Sequence, residues 1–254
     1  MLKKTRDIPR RQRRFVEIDL SRSRFHNVDL TDSRIRGAIL THVEIDGDID
    51  GLTVNGVEIA PLVRAELDRR FPEHEWIRSS DPDWLAEAWK AIDRRWDEAI
   101  AAVAALPEDA AHRSVDQEWS FVETLRHLVF VTDAWVRRPV MGGEGHYWTA
   151  GLPATDFPPL LVEACALDLT AEPTLSEVLE ARRLRVELLG EVLSSLSAAD
   201  LPRSCSANPS PGYPIDTSKL TIKRCLRVVL REEWEHHRIA VRDLARLESG
   251  GARD

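Results

Sequence analysis

The chain contains no run of about 18 apolar residues, the length a helix needs to cross a bilayer. No apolar segment follows its basic first residues either, so neither a membrane span nor a secretory signal is expected, and the cytoplasm is the default compartment. Cysteine is scarce. Cys165, Cys205 and Cys225 are scattered, odd in number and without a C-x-x-C pair, which argues against a disulfide framework or a cysteine zinc site. A Ser-His-Asp order, a Gly-rich phosphate loop and a paired-carboxylate motif are all missing, which removes the enzyme classes built on them. Lysine is nearly absent, 5 residues against 30 arginines. Net charge is −8, although Lys3, Lys4, Arg6, Arg10, Arg11, Arg13 and Arg14 crowd the start against Asp7 alone. Residues 1–14 therefore read as a solvated basic arm on an acidic protein, and nucleic acid is not an expected partner.

What is present is a chain of 254 residues with 43% hydrophobic content, enough for one core and a small appendage. From Phe15 onward a period of five appears, which fits neither helix nor strand. Leu20, Phe25, Leu30, Ile35, Leu40 and Ile45 recur at that interval, with Ile18, Ser23, Val28, Ser33, Ala38 and Val43 two positions earlier. Repetition at fixed spacing points to a solenoid. The stretch FHNVDLTDSRIRGAIL resembles the pentapeptide repeats, whose five-residue units wind a four-sided β-helix. Only about one and a half coils would form over residues 15–60, so the segment is expected to be a short cap, finished by a hairpin at Asn55-Gly56.

Residues 61–80 read as a short helix, Pro61 to Arg70, and a connector. Residues 81–248 then read as a bundle of four long helices. Asp81-Pro82 is an N-cap with proline at the first helical position, opening a stripe of Trp84, Leu85, Ala88, Ile92, Trp96, Ala99 and Val103. Ser120-Phe121-Val122-Glu123 and Thr174-Leu175-Ser176-Glu177 are capping boxes. The first begins a helix that should end before Pro139. The second begins one carrying Val178, Leu179, Ala181, Leu184, Leu188, Val192 and Leu196. Residues 142–173 form a long aperiodic connection, the kind that is usually functional or a lid.

The last helix, about Thr221 to Leu247, carries the chemistry. At ~100° per residue, Arg231, Glu235, Arg238 and Arg242 make a charged stripe. Opposite lie Ile222, Leu226, Val229, Ala240, Leu244 and Leu247, and amid them Glu233 and His237. A buried carboxylate without partners costs several kcal/mol, so something must compensate Glu233. A divalent metal would, and Glu-x-x-x-His offers an oxygen and a nitrogen from adjacent turns. A buried Glu-His hydrogen bond is the alternative. Glu232 and His236 share the spacing but lie about 100° round, on the flank, and rank second. His127, on the second helix at the edge of its apolar arc with small neighbours, is the candidate third ligand.

EWSFVETLRHLVFVTDAW on the second helix and EEWEHHRIAVRDL on the last resemble the DinB-like four-helix bundles, over about Asp81 to Leu247. In these a W-S-x-x-E-x-L-x-H-L motif and a late H-x-x-x-H form a metal triad. Carried over by position, the resemblance implies His127, Glu233 and His237 as ligands, with Glu233 where His is usual. That substitution resembles the mycothiol-dependent maleylpyruvate isomerases of the superfamily. Its enzymatic members are often thiol transferases or thiol-dependent isomerases in which the metal binds a low-molecular-weight thiol.

The fold expected is thus mainly α, a DinB-like four-helix bundle behind a short pentapeptide-type β-helix cap. The expected function is metal-dependent activation of a thiol, mycothiol by resemblance, toward an electrophilic substrate. Zinc is the first choice of ion, with nickel, iron or manganese as alternatives. His236 is the candidate general acid/base by proximity, and Trp119, Tyr147, Trp234 and Tyr213 are candidate pocket-lining residues. A homodimer is expected only by analogy. The competing reading is a non-catalytic, metal-stabilised interaction module acting through the pentapeptide-like end or the long loop.

Overall fold

The structure, a computed structural model, describes residues 15–25, 28–143, 147–155, 157–206 and 212–251. The basic arm at residues 1–14 lies outside them. The chain divides into two compact units between Ile49 and Asp50.

In the first unit the period of five is carried by the backbone. Glu17, Arg22, Asp32, Gly37, His42 and Gly47 all have positive φ, and turns recur every ten residues at Ser21-Arg22, Thr31-Asp32 and Thr41-His42. The Asp19 and Asp29 carboxylates accept from the Ser21 and Thr31 amides at 2.8 and 2.9 Å, holding two of these turns. A β-helix is not shown among the described residues, where the strands are confined to one two-stranded sheet outside this unit. The apolar positions that should line its interior are exposed, Phe25 at 63% and Ile35 at 68%. The physical reason lies in the length. One and a half coils leave most of the inward residues without a successive coil on which to stack.

The second unit opens with the expected hairpin, β1 (Thr53–Val54) and β2 (Val57–Glu58). Its turn places Asn55 and Gly56 at φ 50° and 83°, the left-handed pair that a two-residue hairpin requires. Then come α1 (Ala60–Arg70) and α2 (Pro72–Trp76). The expected connector is thus partly helical, and its Ile77 joins the core.

The bundle comprises α3 (Pro82–Ala104), α4 (Phe121–Thr132), α6 (Leu175–Ser195) and α7 (Ile222–Gly251). Asp81 caps α3, and both capping boxes form reciprocally. Both α3 and α4 pack against α6 and α7. Leu85, Ile92 and Trp96 from α3 meet Leu125, Leu128 and Val129 from α4, Leu189 from α6, and Leu226 and Leu230 from α7. Trp84, expected in the stripe, is half exposed and leans on Trp76, while Trp89 is buried instead. α4 is buried all round and passes after Thr132 into a π-helical turn, Asp133–Arg137.

The long connection explains why α4 has no solvent face. It contains α5 (Pro159–Ala164) and lies along α4: the Leu152 amide donates to the Arg126 carbonyl, and the Arg126 Nε donates to the Ala150 carbonyl at 2.7 Å. Asp133 anchors it further, accepting from the Trp148 amide while forming an ion pair with Arg185 of α6.

Candidate metal centre

The Ser120 hydroxyl and the Glu123 carboxylate bond each other's backbone amides, which fixes where α4 begins and so where His127 points. His127 is 6% exposed. Its Nδ1 lies 2.9 Å from the Leu152 carbonyl, and since a carbonyl can only accept, Nδ1 carries a proton, which in the neutral ring leaves the lone pair on Nε2. That nitrogen faces α7, where Glu232 Oε2 stands 3.6 Å away. His236, one turn on, places its Nε2 3.4 Å from the same oxygen. The ligand atoms of His127, Glu232 and His236 all lie within 4.8 Å of one another, the one such group among the described residues.

The spacing fits a shared ion. Two donors about 2.0–2.1 Å from a tetrahedral cation stand about 3.4 Å apart, which is close to the separations found and long for direct hydrogen bonds. The backbone carbonyl behind His127 is the outer partner that ligating histidines ordinarily have. Glu232 and His236 are about a quarter and a fifth exposed, so the group opens to solvent on one side, as a site with an open position must. Burial alone would raise the Glu232 carboxyl, but the two imidazoles outweigh it and hold it well below the usual carboxylate range. That lowering works through protons on the two imidazoles, whose place a cation bound there would take.

Trp119, immediately before the cap, forms the wall. Its ring centroid is 4.7 Å from that of His127 and 5.8 Å from that of His236, stacked on the latter at 21°. Trp119 also helps line a small recess with Arg113, Phe121, Thr124, Ala240 and Asp243.

The pair placed first by helical arithmetic is not brought to His127. Glu233, 2% exposed, receives two hydrogen bonds from Arg182 of α6, at 2.9 and 2.8 Å, and Arg182 lies over the Trp96 ring. The compensation that a buried carboxylate demands is thus a guanidinium. His237 points to α3, where its Nε2 donates to the Arg95 carbonyl at 3.1 Å beside Trp96; burial holds its pKa below the usual histidine value. The geometry therefore moves the Glu-x-x-x-His pair one residue back, to Glu232 and His236, because the flank of α7 rather than the centre of its apolar face meets α4. His236 accordingly stands among the ligand candidates instead of beside them as an acid/base.

The other expected lining residues separate. Trp234 packs on Phe71, His74 and Arg238, away from the triad. The Tyr147 hydroxyl donates to the Tyr213 carbonyl at 2.5 Å and accepts from the Tyr213 amide. The two rings join Phe130 and Phe157 in an aromatic cluster, which reaches the site through Phe130, 6.5 Å from His127. Arg182 went unnoticed in the sequence although it had a signal. It falls four residues after Val178 and seven before Leu189, inside the buried stripe of α6, where a lone arginine implies a buried acid. The Leu152 carbonyl had none, being backbone from the long connection.

No helix among the described residues is long and apolar enough to cross a membrane. Neither a curated protein nor a solved structure matches the chain. The family model of the DinB superfamily matches residues 91–240, a span that opens inside α3, takes in all of α4 and α6 and ends within α7 one turn past His236, and the chain belongs to that superfamily.

Proposed function

We propose that the protein is a metal-dependent enzyme in which His127, Glu232 and His236 hold a divalent cation, zinc first, that receives a low-molecular-weight thiol for transfer to, or isomerisation of, an electrophilic substrate. The observation that carries this reading is the convergence of three donors on one point, with His127 already locked in the ligating tautomer by Leu152. When bound there, the cation would lower the thiol's pKa so that a thiolate exists at neutral pH. The residues of the chain do the rest. His127 and His236 would each offer Nε2 to the ion, Glu232 would offset its charge, and the Trp119 ring lies against both imidazoles. Mycothiol as the thiol rests on the resemblance of the two helix motifs to thiol-handling members of the superfamily.

The second reading, a metal-stabilised interaction module, is favoured by one observation: the apolar series from Ile18 to Ile45 is exposed, as a surface awaiting a partner would be. Cobalt substitution separates the two. Protein purified without chelator or nickel resin and loaded with cobalt should change its visible absorption on adding mycothiol or another small thiol. A spectrum blind to every thiol overturns the enzyme and leaves the module. Failure to bind any divalent ion stoichiometrically overturns both.

A further inference from the structure

Two of the three cysteines come together in the fold. Cys205 and Cys225 place their sulfurs 3.7 Å apart, both buried. Their surroundings hold them there. Residues 201–205 run antiparallel to 220–223: the Cys205 amide donates to the Leu220 carbonyl, Ile222 to Arg203 and Lys223 to Leu201, with a bridge between Ser204 and Thr221. Cys225 follows in the first turn of α7, three residues after its start. Cys165 is elsewhere, buried beside Tyr147.

We propose that Cys205 and Cys225 form an oxidisable dithiol that hydrogen peroxide converts to an intramolecular disulfide. The sulfurs need to close by about 1.7 Å to reach the bonded distance of about 2.05 Å, a movement within reach of side-chain rotation. In the first step the Cys205 thiolate attacks one peroxide oxygen; the O–O bond breaks, hydroxide leaves and takes up the proton that Cys205 lost, and Cys205 becomes a sulfenic acid. The Cys225 sulfur then attacks the Cys205 sulfur, the S–O bond breaks, and the hydroxyl leaves as water with the Cys225 proton. Two thiols lose two electrons and two protons, and the peroxide is reduced to two waters.

The order of attack follows from the pair itself. The Cys225 thiol, donating to its neighbour, holds Cys205 below the usual thiol range, while the same contact and burial push Cys225 up. Cys205 is also the less buried residue of the two, 6% exposed against 0% for Cys225. That enclosure selects the oxidant by size, because peroxide can reach a sulfur that a bulky disulfide cannot approach in line. The link would tie the strand-like segment before residue 206 to α7, on a helix line that also carries Glu232 and His236, seven and eleven residues on and within about 20° of Cys225. The proposal stands apart from the metal reading, and neither depends on the other.

The test is oxidation of the full-length folded protein with hydrogen peroxide, followed by alkylation in denaturant and peptide mapping. The expected result is a chain lighter by two hydrogen atoms, one alkylated cysteine at Cys165, a linked peptide joining Cys205 to Cys225, and a thermal midpoint raised by several degrees that falls back on reduction. C225S should leave a sulfenic acid on Cys205 that dimedone traps, and C205S should leave Cys225 reduced. Oxidised glutathione, under the same conditions, should produce no link. Three alkylated cysteines after peroxide, stable over-oxidation of Cys205 without a link, or linkage by glutathione alone would each overturn the proposal. Should either variant fail to fold, the peptide map of the unaltered chain decides.

Discussion

Arg182 and Glu233 meet across the middle of the bundle, joined by two hydrogen bonds at 2.9 and 2.8 Å, with both side chains almost fully buried. This pair links α6 to α7 and takes the carboxylate that the sequence offered to a metal. Breaking one partner leaves the other charge buried without its hydrogen-bonded counterpart.

Glu233→Ala is therefore expected to lower unfolding stability by about 3–5 kcal/mol, and Arg182→Met/Glu233→Leu together to recover most of that loss. Urea unfolding followed by circular dichroism measures both. A single variant costing under about 1 kcal/mol would show that the pair is not the compensating contact.

Metal binding should separate the two glutamates. Glu232→Gln, His127→Ala and His236→Ala are each expected to weaken zinc binding by at least about 100-fold, about 2.8 kcal/mol. Glu233→Gln and His237→Gln, in whatever fraction folds, should keep a stoichiometric ion by elemental analysis. Chelator treatment should lower the melting temperature of the parent protein and leave that of the Glu232→Gln variant unchanged. The reverse pattern would restore Glu233 and His237 as ligands.

His237 gives the acid side of the stability curve a specific component. Burial holds its pKa below the usual value in the folded chain, so the folded state favours the neutral ring and the unfolded chain binds the proton more readily. The stability it contributes is present above the ordinary histidine value of about 6.5 and is lost as pH falls from there through the lower folded value. His237→Gln, which can still donate to the Arg95 carbonyl, should flatten that decline. Parallel pH-stability curves for parent and variant would contradict it.

The cap before His127 should matter for stability more than for ligand identity. Ser120→Ala is expected to cost about 1 kcal/mol, Ser120→Thr far less, with zinc stoichiometry retained in both. Thermal melts and elemental analysis check the two halves separately.

Much of the fold could be read in advance because its signals are local. Asp81-Pro82 and the two capping boxes mark helix starts through bonds made within four residues. Asn55-Gly56 marks the hairpin for the same reason. The helix expected to end before Pro139 does reach that region, but its last stretch is π-helical from Asp133, where Asp133 turns to Arg185 and Trp148, contacts no local rule contains. The five-residue period shows the limit from the other direction. It survives in the backbone as positive φ at Asp32, Gly37, His42 and Gly47, yet a β-helix needs coil upon coil, and the sequence supplies too few.

The sequence by itself determined that the last helix carries two Glu-x-x-x-His pairs in adjacent registers, that a histidine stands on a well-capped second helix, and that a carboxylate on the apolar face needs a partner. Only the tertiary structure decided which pair meets His127. The angle at which α7 packs against α4 and α6 turns Glu232 and His236 toward the histidine and Glu233 toward Arg182. A rotation of about 100°, one residue of helix, is set by side-chain packing across the bundle and not by anything within α7.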